Sequence, residues 1–290
     1  FDRAAYTELA ELGLCGLYIS EDHGGMGMGP VEGMVVMEEL GRGIVMEPIQ
    51  QALISGAVLE GYAPDAIKAE WLPKIAGGEA IVVLAHQERK SRYNISKCDA
   101  QAQQQDGQWN ITGTKSVVAA GDHADAFLVP AMAAGKLALF LVAKGAKGSA
   151  TSGYVTQDGA RAAELTLNQS PASLVSLDGQ TALSHAVDIG IASVCAEAVG
   201  VMDKTMAITV DYMNTRKQFN TTIATFQALR HRVADMKMQL ELGRSMSYYA
   251  SLKLNTPAAE RHQALARAKY QLGNSMRFVG QQSVQLHGGI

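Results

Sequence analysis

A chain of 290 residues is long enough for about two domains of ordinary size and a substantial core. With 47% hydrophobic residues, 18% charged residues and 7 prolines, its composition excludes an extended disordered or low-complexity protein. Lys plus Arg number 25 against 28 for Asp plus Glu, a net charge of −3, which argues against a nucleic-acid partner bound through its phosphates. Cys15, Cys98 and Cys195 have no CxxC spacing and cannot all pair with one another, so the chain reads as intracellular and cytoplasmic. The longest unbroken apolar run, Leu137 to Ala143, is far shorter than the roughly 20 residues a bilayer requires, so no membrane span is expected. The chain starts at Phe1 without a methionine and stops at Gly288-Gly289-Ile290, which reads as truncation at both ends.

Residues 1–76 carry apolar positions at helical spacing, for example Val31, Met34, Val35 and Leu40 behind Pro30, a residue suited to a first helical turn. After Gly77-Gly78 the texture changes to short β-type runs: Ile81 to Leu84, Trp109 to Thr112, Ser116 to Val118, Phe127 to Val129 and Leu137 to Val142. Gly, Asp, Asn and Lys punctuate them as in an antiparallel sheet, which predicts a β-domain over 77–178. From 179 to 290 the β-signals vanish. One seam runs Val187, Ile191, Val194, Ala198, Val201, Ile208 and Tyr212, and a second runs Phe226, Leu229, Val233, Met236 and Leu240. A third, Leu265, Ala268, Leu272, Met276 and Val279, follows Asn255-Thr256-Pro257, which reads as a cap and first turn. Three long helices predict a bundle. Helices, then strands, then helices is an α+β order: an N-terminal helical domain, a middle antiparallel barrel-like β-domain and a C-terminal helical bundle.

Gly24-Gly25-Met26-Gly27-Met28-Gly29-Pro30 imitates a dinucleotide-binding turn, but Pro30 stands where the last glycine belongs and no βαβ unit follows. The segment reads instead as a tight interhelical turn needing positive φ. The seven histidines show no HxxxH or HExxH spacing, so no metal site is expected, and no GxSxG elbow or P-loop is present. The 13 methionines read as core filler.

The block Tyr212 to Asn220, with Arg216 and Phe219, is followed by Phe226-Gln227-Ala228-Leu229 and joins two of the long helices. Taken alone, Arg216 is a helix-end charge that offsets the dipole and Phe219 a turn-packing aromatic. Within the three-part order, however, the block resembles the Arg-x-x-Phe-Gly and Phe-Gln elements of the acyl-CoA dehydrogenase family. The resemblance extends along the chain. Gly13 to Gly27 is similar to the family's early loop, and Leu72 to Glu79 to the entry of its β-domain. Gly113-Thr114-Lys115 with Gly121 and Ala124-Asp125 resembles its central strand motif, and Gln285-Leu286-His287-Gly288-Gly289 its late turn. The spacing is nearest to small-subunit members of the pimeloyl-CoA dehydrogenase type.

That resemblance implies oxidation of an acyl-CoA substrate to a trans-2-enoyl-CoA, with FAD between the β-domain and the bundle and an electron-transfer flavoprotein as acceptor. It also implies a homodimer, a homotetramer or pairing with a related large subunit, since a neighbouring subunit contacts the adenine half of the cofactor. By position, Arg216 meets the pyrophosphate, Phe219 packs near the adenine and Gln227 contacts the adenosine. Gln285, Gly288 and Gly289 lie along the cofactor, where glycine lets backbone amides approach an anion. Gln87 stands in place of the flavin-contacting hydroxyl and can both donate and accept.

The catalytic base is unassigned. Its commoner place lies beyond Ile290, and its alternative on the first bundle helix falls at Gly190. Glu197 reads as a salt-bridge residue and Asp188 as a dipole-favouring residue near the helix start. Leu84 to Asn94 and Ser116 to Gly121 depart from the usual Thr-Glu-Pro and Trp-Ile-Thr-Asn patterns, whereas Asn220, for the family's glycine, is a mild change because Asn tolerates the left-handed region. These departures motivate an alternative, a noncatalytic subunit that completes a neighbour's FAD site.

Overall fold

The computed structural model describes residues 1–288, so Gly289 lies outside the described residues. The chain divides into two compact units, residues 1–29 with 46–190 and residues 30–45 with 191–290.

In the first unit, helix α1 (Arg3–Glu11) is capped by Asp2, whose carboxylate accepts from the Ala4 and Ala5 amides at 2.8 and 3.3 Å. The loop that follows is a tight turn, as expected, with Gly24 and Gly27 at φ +80° and +59°. Helices α3 (Ile49–Tyr62) and α4 (Asp65–Ala76) complete the helical part. Nine of the 14 residues of α3 are buried, and its Gln51 side chain accepts from the Leu84 amide at 3.0 Å, tying it to the sheet.

The sheet comprises β1 (Val82–Leu84), β2 (Gln101–Gln105), β3 (Gln108–Ala119), β4 (Ala126–Ala133), β5 (Lys136–Ala143), β6 (Ser149–Val155) and β7 (Arg161–Ser176). Neighbours run β4–β2–β3–β7–β5 and the β4–β5 pairing closes the circuit, giving the expected barrel-like domain. The expectation of a purely antiparallel sheet is corrected in two places: β1 and β2 both pair with β4 in parallel. The long excursions between these strands supply the crossover that parallel pairing needs. A register shift between Lys115 and Val118 leaves Val117 at φ +53°, a left-handed conformation rare for a β-branched residue.

The second unit joins α2 (Pro30–Gly43) to the later part of α5 (Gly179–Thr215), to α6 (Gln227–Lys253) and to α7 (Ala258–His287). The helix α5 begins earlier than its apolar seam, at Gly179, behind Asp178, whose carboxylate accepts from the Thr181 amide at 3.2 Å. Asp188 is therefore about two and a half turns inside the helix and buried, beyond the reach of the terminal dipole. The buried stripe is also displaced from the expected one. It runs Ala192, Cys195, Val199, Met202, Met206 and Met213, while Ile208 is 53% exposed. Apolar residues surround α5 on several sides, so periodicity alone offers more than one register. For the same reason α5 is long and apolar enough to cross a membrane by length and composition alone, yet most of its apolar stretch is buried inside the protein. It is a core helix, and its methionines fill that core.

The expected cap at Asn255-Thr256 is also corrected. Pro257 precedes α7, and the Thr256 hydroxyl donates to the Lys253 carbonyl at 2.7 Å, closing the end of α6 instead. Helices α2 and α5 cross at contact distance, because a Cβ on Gly41 would collide with the Glu197 backbone and one on Gly200 with the Glu38 backbone. Beside that crossing, Glu38 pairs with Arg42 and Arg244, and Asp203 pairs with the same two arginines, binding α2, α5 and α6 into one network.

Candidate functional site

In the second unit, α5 ends at Thr215 and the chain makes a short hairpin, β8 (Lys217–Gln218) and β9 (Thr221–Thr222). Phe219 and Asn220 form its two-residue turn at φ +54° and +60°, the pattern of a type I′ turn. Asn suits that geometry. Phenylalanine does not, yet the hairpin places its ring at the tip, 87% exposed and edge-on to Phe226 at 6.1 Å.

Arg216 enters the hairpin. Its amide donates to the Tyr212 carbonyl at 2.8 Å and its carbonyl accepts from the Ile223 amide at 2.9 Å, so the backbone is fixed at both ends. Its guanidinium is exposed and forms no ion pair among the described residues. Gln227 opens α6, also exposed. A cavity of about 230 Å³ adjoins this segment, lined by Val210, Met213, Asn214, Ala224, Arg230 and Val233.

The late turn is drawn to the same end of the unit. Tyr212 stacks on His287 with ring centroids 4.5 Å apart and donates its hydroxyl to the His287 carbonyl at 3.1 Å. The exposed Gln285 and Gly288 are thereby anchored near the base of the Arg216 hairpin. Gly288 has φ +82° and its amide donates to the Gln285 carbonyl at 3.2 Å, closing α7. Of the residues expected from sequence, Arg216, Phe219, Gln227, Gln285 and Gly288 thus belong to this unit.

Gln87 belongs to the first unit. Its carbonyl accepts from the Ser116 amide at 2.8 Å, and its side chain lines a cavity of about 440 Å³ together with Arg89, Arg92, Ser116, Val117 and Glu164. The floor is braced from beneath. Lys115, fully buried, donates to the Glu88 carboxylate at 2.7 Å, and the same carboxylate accepts from the Asp99 and Ala100 amides at 2.6 and 3.2 Å. Burial pushes the Glu88 carboxyl up, but the Lys115 ammonium and the two amides outweigh it and hold the group below its ordinary value. Burial, and then the Lys115 charge, push the neighbouring His86 down to about 4, so its ring is neutral near pH 7. Burial likewise pushes the Cys98 thiol up.

Sequence reasoning missed Glu164 as a cavity wall, where it accepts from the Ser116 hydroxyl at 2.9 Å. No local motif marks it, because only the pairing of β3 with β7 brings the two residues together. The Tyr212–His287 contact is also invisible to spacing. At Gly190, the place of the alternative base, the carbonyl accepts from Gln50 at 3.1 Å and a Cβ would meet only the Ile54 side chain.

Residues 1–79 match the family profile "Acyl-CoA dehydrogenase, N-terminal domain" and residues 178–290 match "Acyl-CoA dehydrogenase, C-terminal domain". Acyl-CoA dehydrogenase FadE27 of Mycobacterium tuberculosis is 28% identical over 81% of this chain and 62% of its own length. FadE12 of the same organism is 29% identical over 98% of this chain and 77% of its own. The chain thus spans about three fifths to three quarters of these relatives. Among solved structures, the "Tcur3481-Tcur3483 steroid ACAD G363A variant" superposes with a TM-score of 0.91 at 27% identity, covering 100% of this chain and 78% of that one. Matching profiles at both ends, structural likeness along the whole of this chain and the order of helices, barrel and bundle establish that the chain belongs to the acyl-CoA dehydrogenase family.

Proposed function

We infer that the chain is the flavin-bearing subunit of an acyl-CoA dehydrogenase, which removes an α-proton and a β-hydride from an acyl-CoA thioester to give the trans-2-enoyl-CoA. Kinship with the small subunits of pimeloyl-CoA dehydrogenases is part of this reading. The observation that carries it is the Arg216 hairpin: a guanidinium without a carboxylate partner among the described residues, beside an exposed aromatic ring held at the tip of a left-handed turn. A planar cation and an open ring face fit the pyrophosphate and adenine of FAD held by a neighbouring copy.

Bound FAD would supply the hydride acceptor, which no side chain can provide. The chain's own residues bind and orient. Arg216 would balance the pyrophosphate charge, Phe219 would offer a stacking face near the adenine, Gln227 would contact the adenosine, and Gln285 and Gly288 would lie along the cofactor. In the first unit, the Gln87 amide would present a donor and an acceptor to the flavin, and the half-exposed Val117 would offer it an apolar face. An electron-transfer flavoprotein would be the acceptor of the electrons that bound FAD takes up.

The test is spectroscopic. The full-length protein, reconstituted with FAD, is expected to keep a flavin spectrum through gel filtration and to bleach anaerobically with a suitable acyl-CoA. A chain that never retains FAD ends this reading. Val117, Ala119 and Ala120, where the family has an aromatic and hydroxyl-bearing run, favour a second reading, a noncatalytic subunit that completes a partner's FAD site. Bleaching and turnover by the subunit alone exclude that alternative.

A further inference from the structure

Cys98 stands just before β2, in a place set by Glu88 and Lys115. The Glu88 carboxylate accepts from the amides of Asp99 and Ala100, the two residues that follow the cysteine, at 2.6 and 3.2 Å. One of its oxygens, Oε1, lies 2.7 Å from Lys115 Nζ and 3.3 Å from Cys98 Sγ. Nζ and Sγ are themselves 3.5 Å apart. Three segments of the first unit thus bring a thiol, an amine and a carboxylate into mutual contact. The amine is wholly out of solvent, whereas the cysteine is half-buried, with the Pro130 carbonyl 3.4 Å from its sulfur. Cys15 and Cys195, by contrast, are closed off in the core, at 1% and 0% exposure. The function proposed above makes no use of the Cys98 thiol.

A cysteine oxidised to the sulfenic acid condenses with a thiol or a nitrogen within reach, and here the nucleophile against the sulfur is the Lys115 nitrogen. We propose that Cys98 and Lys115 form an oxidative crosslinking site, at which hydrogen peroxide joins the two side chains by a sulfur–nitrogen bond. In the first step the O–O bond of peroxide breaks, sulfur takes the hydroxyl and one water leaves; sulfur loses two electrons and peroxide gains them. In the second step Lys115 yields a proton to Glu88, the freed amine attacks sulfur, the S–O bond breaks and the hydroxyl departs as a second water. One thiol, one ammonium and one peroxide thus become one S–N link, two waters and one proton. Because Glu88 Oε1 touches both Nζ and Sγ, a single oxygen can carry the proton from the amine to the leaving hydroxyl, and the last proton rests on the carboxylate, which has lost its cation. Burial raises the Cys98 pKa, so the thiolate is scarce and the site answers sustained exposure to peroxide rather than a brief pulse.

The experiment is peptide mapping of the full-length protein after graded exposure to hydrogen peroxide, with catalase to stop the reaction and iodoacetamide to cap free thiols. Chymotrypsin cuts at Trp109, between the two residues, so a link holds together two peptides that otherwise separate. The expected product is a Cys98–Lys115 pair about 2 Da lighter than the sum of its peptides, released by dithiothreitol. Cys98→Ser, which leaves Lys115 and Glu88 in place, should fold as wild type and give no linked pair. Wild type treated in denaturant should give none either, because the contact is lost. Cys98 recovered as the sulfinic acid with Lys115 free, or capped in full by iodoacetamide at every peroxide dose, overturns the site. Linkage to a different lysine, equal linkage in denaturant, or a linked pair that retains an oxygen also contradicts the bond proposed.

Discussion

Lys115 and Glu88 lie 2.7 Å apart with the lysine side chain wholly excluded from solvent. The pair joins β3 to the loop that carries Gln87 and Arg89, so it fixes the floor of the cavity from below. Removing one partner strands the other as a buried charge. Lys115→Met is therefore expected to destabilise the protein by about 3–5 kcal/mol, a cost typical of breaking such pairs. Glu88→Gln keeps the shape and removes the charge, and should also destabilise. Because the Glu88 pKa is depressed in the folded state, its contribution is complete above the ordinary carboxylate value of 4.5 and is lost as pH falls through the folded value. Denaturant unfolding of wild type and Glu88→Gln across that range checks both statements; equal stability near pH 7 contradicts them.

His86 adds a second acid-sensitive window with the same sign. Its ring is pushed from 6.5 to about 4, so between those values the unfolded chain takes up a proton that the folded chain refuses. Stability is complete above pH 6.5 and falls as the pH drops toward 4, by roughly 2–3 kcal/mol in all. His86→Gln should flatten the stability curve in that interval while leaving the lower, Glu88-dependent limb. A variant curve that parallels wild type between pH 6.5 and 4 would show that His86 is not the titrating group.

Residues that announce themselves by local chemistry were legible in the sequence, and those defined by long-range packing were not. Gly24 and Gly27 show their turn through composition, and Asn220 its left-handed position through residue type. β4 and β5 are legible because they are continuous apolar runs. Strand β2, Gln101 to Gln105, has almost no apolar side chain and becomes a strand only because β3 and β4 flank it. In α5 the apolar residues outnumber the core positions, so the register was settled by tertiary contact. The hairpin was visible as a motif around Arg216 and Phe219, yet its clasp to the end of α7 through Tyr212 and His287 joins positions 75 residues apart. The Gln87 loop was visible only as a departure from pattern, since its relation to Glu164 depends on strand pairing.

Two glycines on α5 should answer the same substitution in opposite ways. A Cβ on Gly190 would meet only the Ile54 side chain at 3.4 Å, ordinary contact. Gly190→Ala therefore gains helix propensity and is expected to stabilise by about 0.5–1 kcal/mol. On Gly200 the same atom would overlap the Glu38 carbonyl and crowd the Arg42 amide, both rigid backbone. Gly200→Ala forces α2 away and is expected to cost about 1–3 kcal/mol net. Thermal unfolding of the two variants decides the matter, and shifts of the same sign would refute the close crossing.

Phe219 tests whether strain has been retained for binding. A bulky residue at φ +54° costs on the order of 1–3 kcal/mol, and its edge-on contact with Phe226 returns about 0.5–1.5 kcal/mol. Phe219→Asn removes both, since Asn accepts the left-handed turn, so the melting temperature of the apoprotein should stay level or rise. FAD affinity, measured by flavin fluorescence quenching, should nonetheless fall about tenfold, because the exposed ring is the stacking face assigned to the adenine. Arg216→Gln should lower affinity by a comparable factor, and this loss alone should diminish as salt rises, since it removes charge rather than a ring face. If Phe219→Asn stabilises the apoprotein and binds FAD as tightly as wild type, the hairpin tip does not stack on the cofactor, and its exposed position requires another partner.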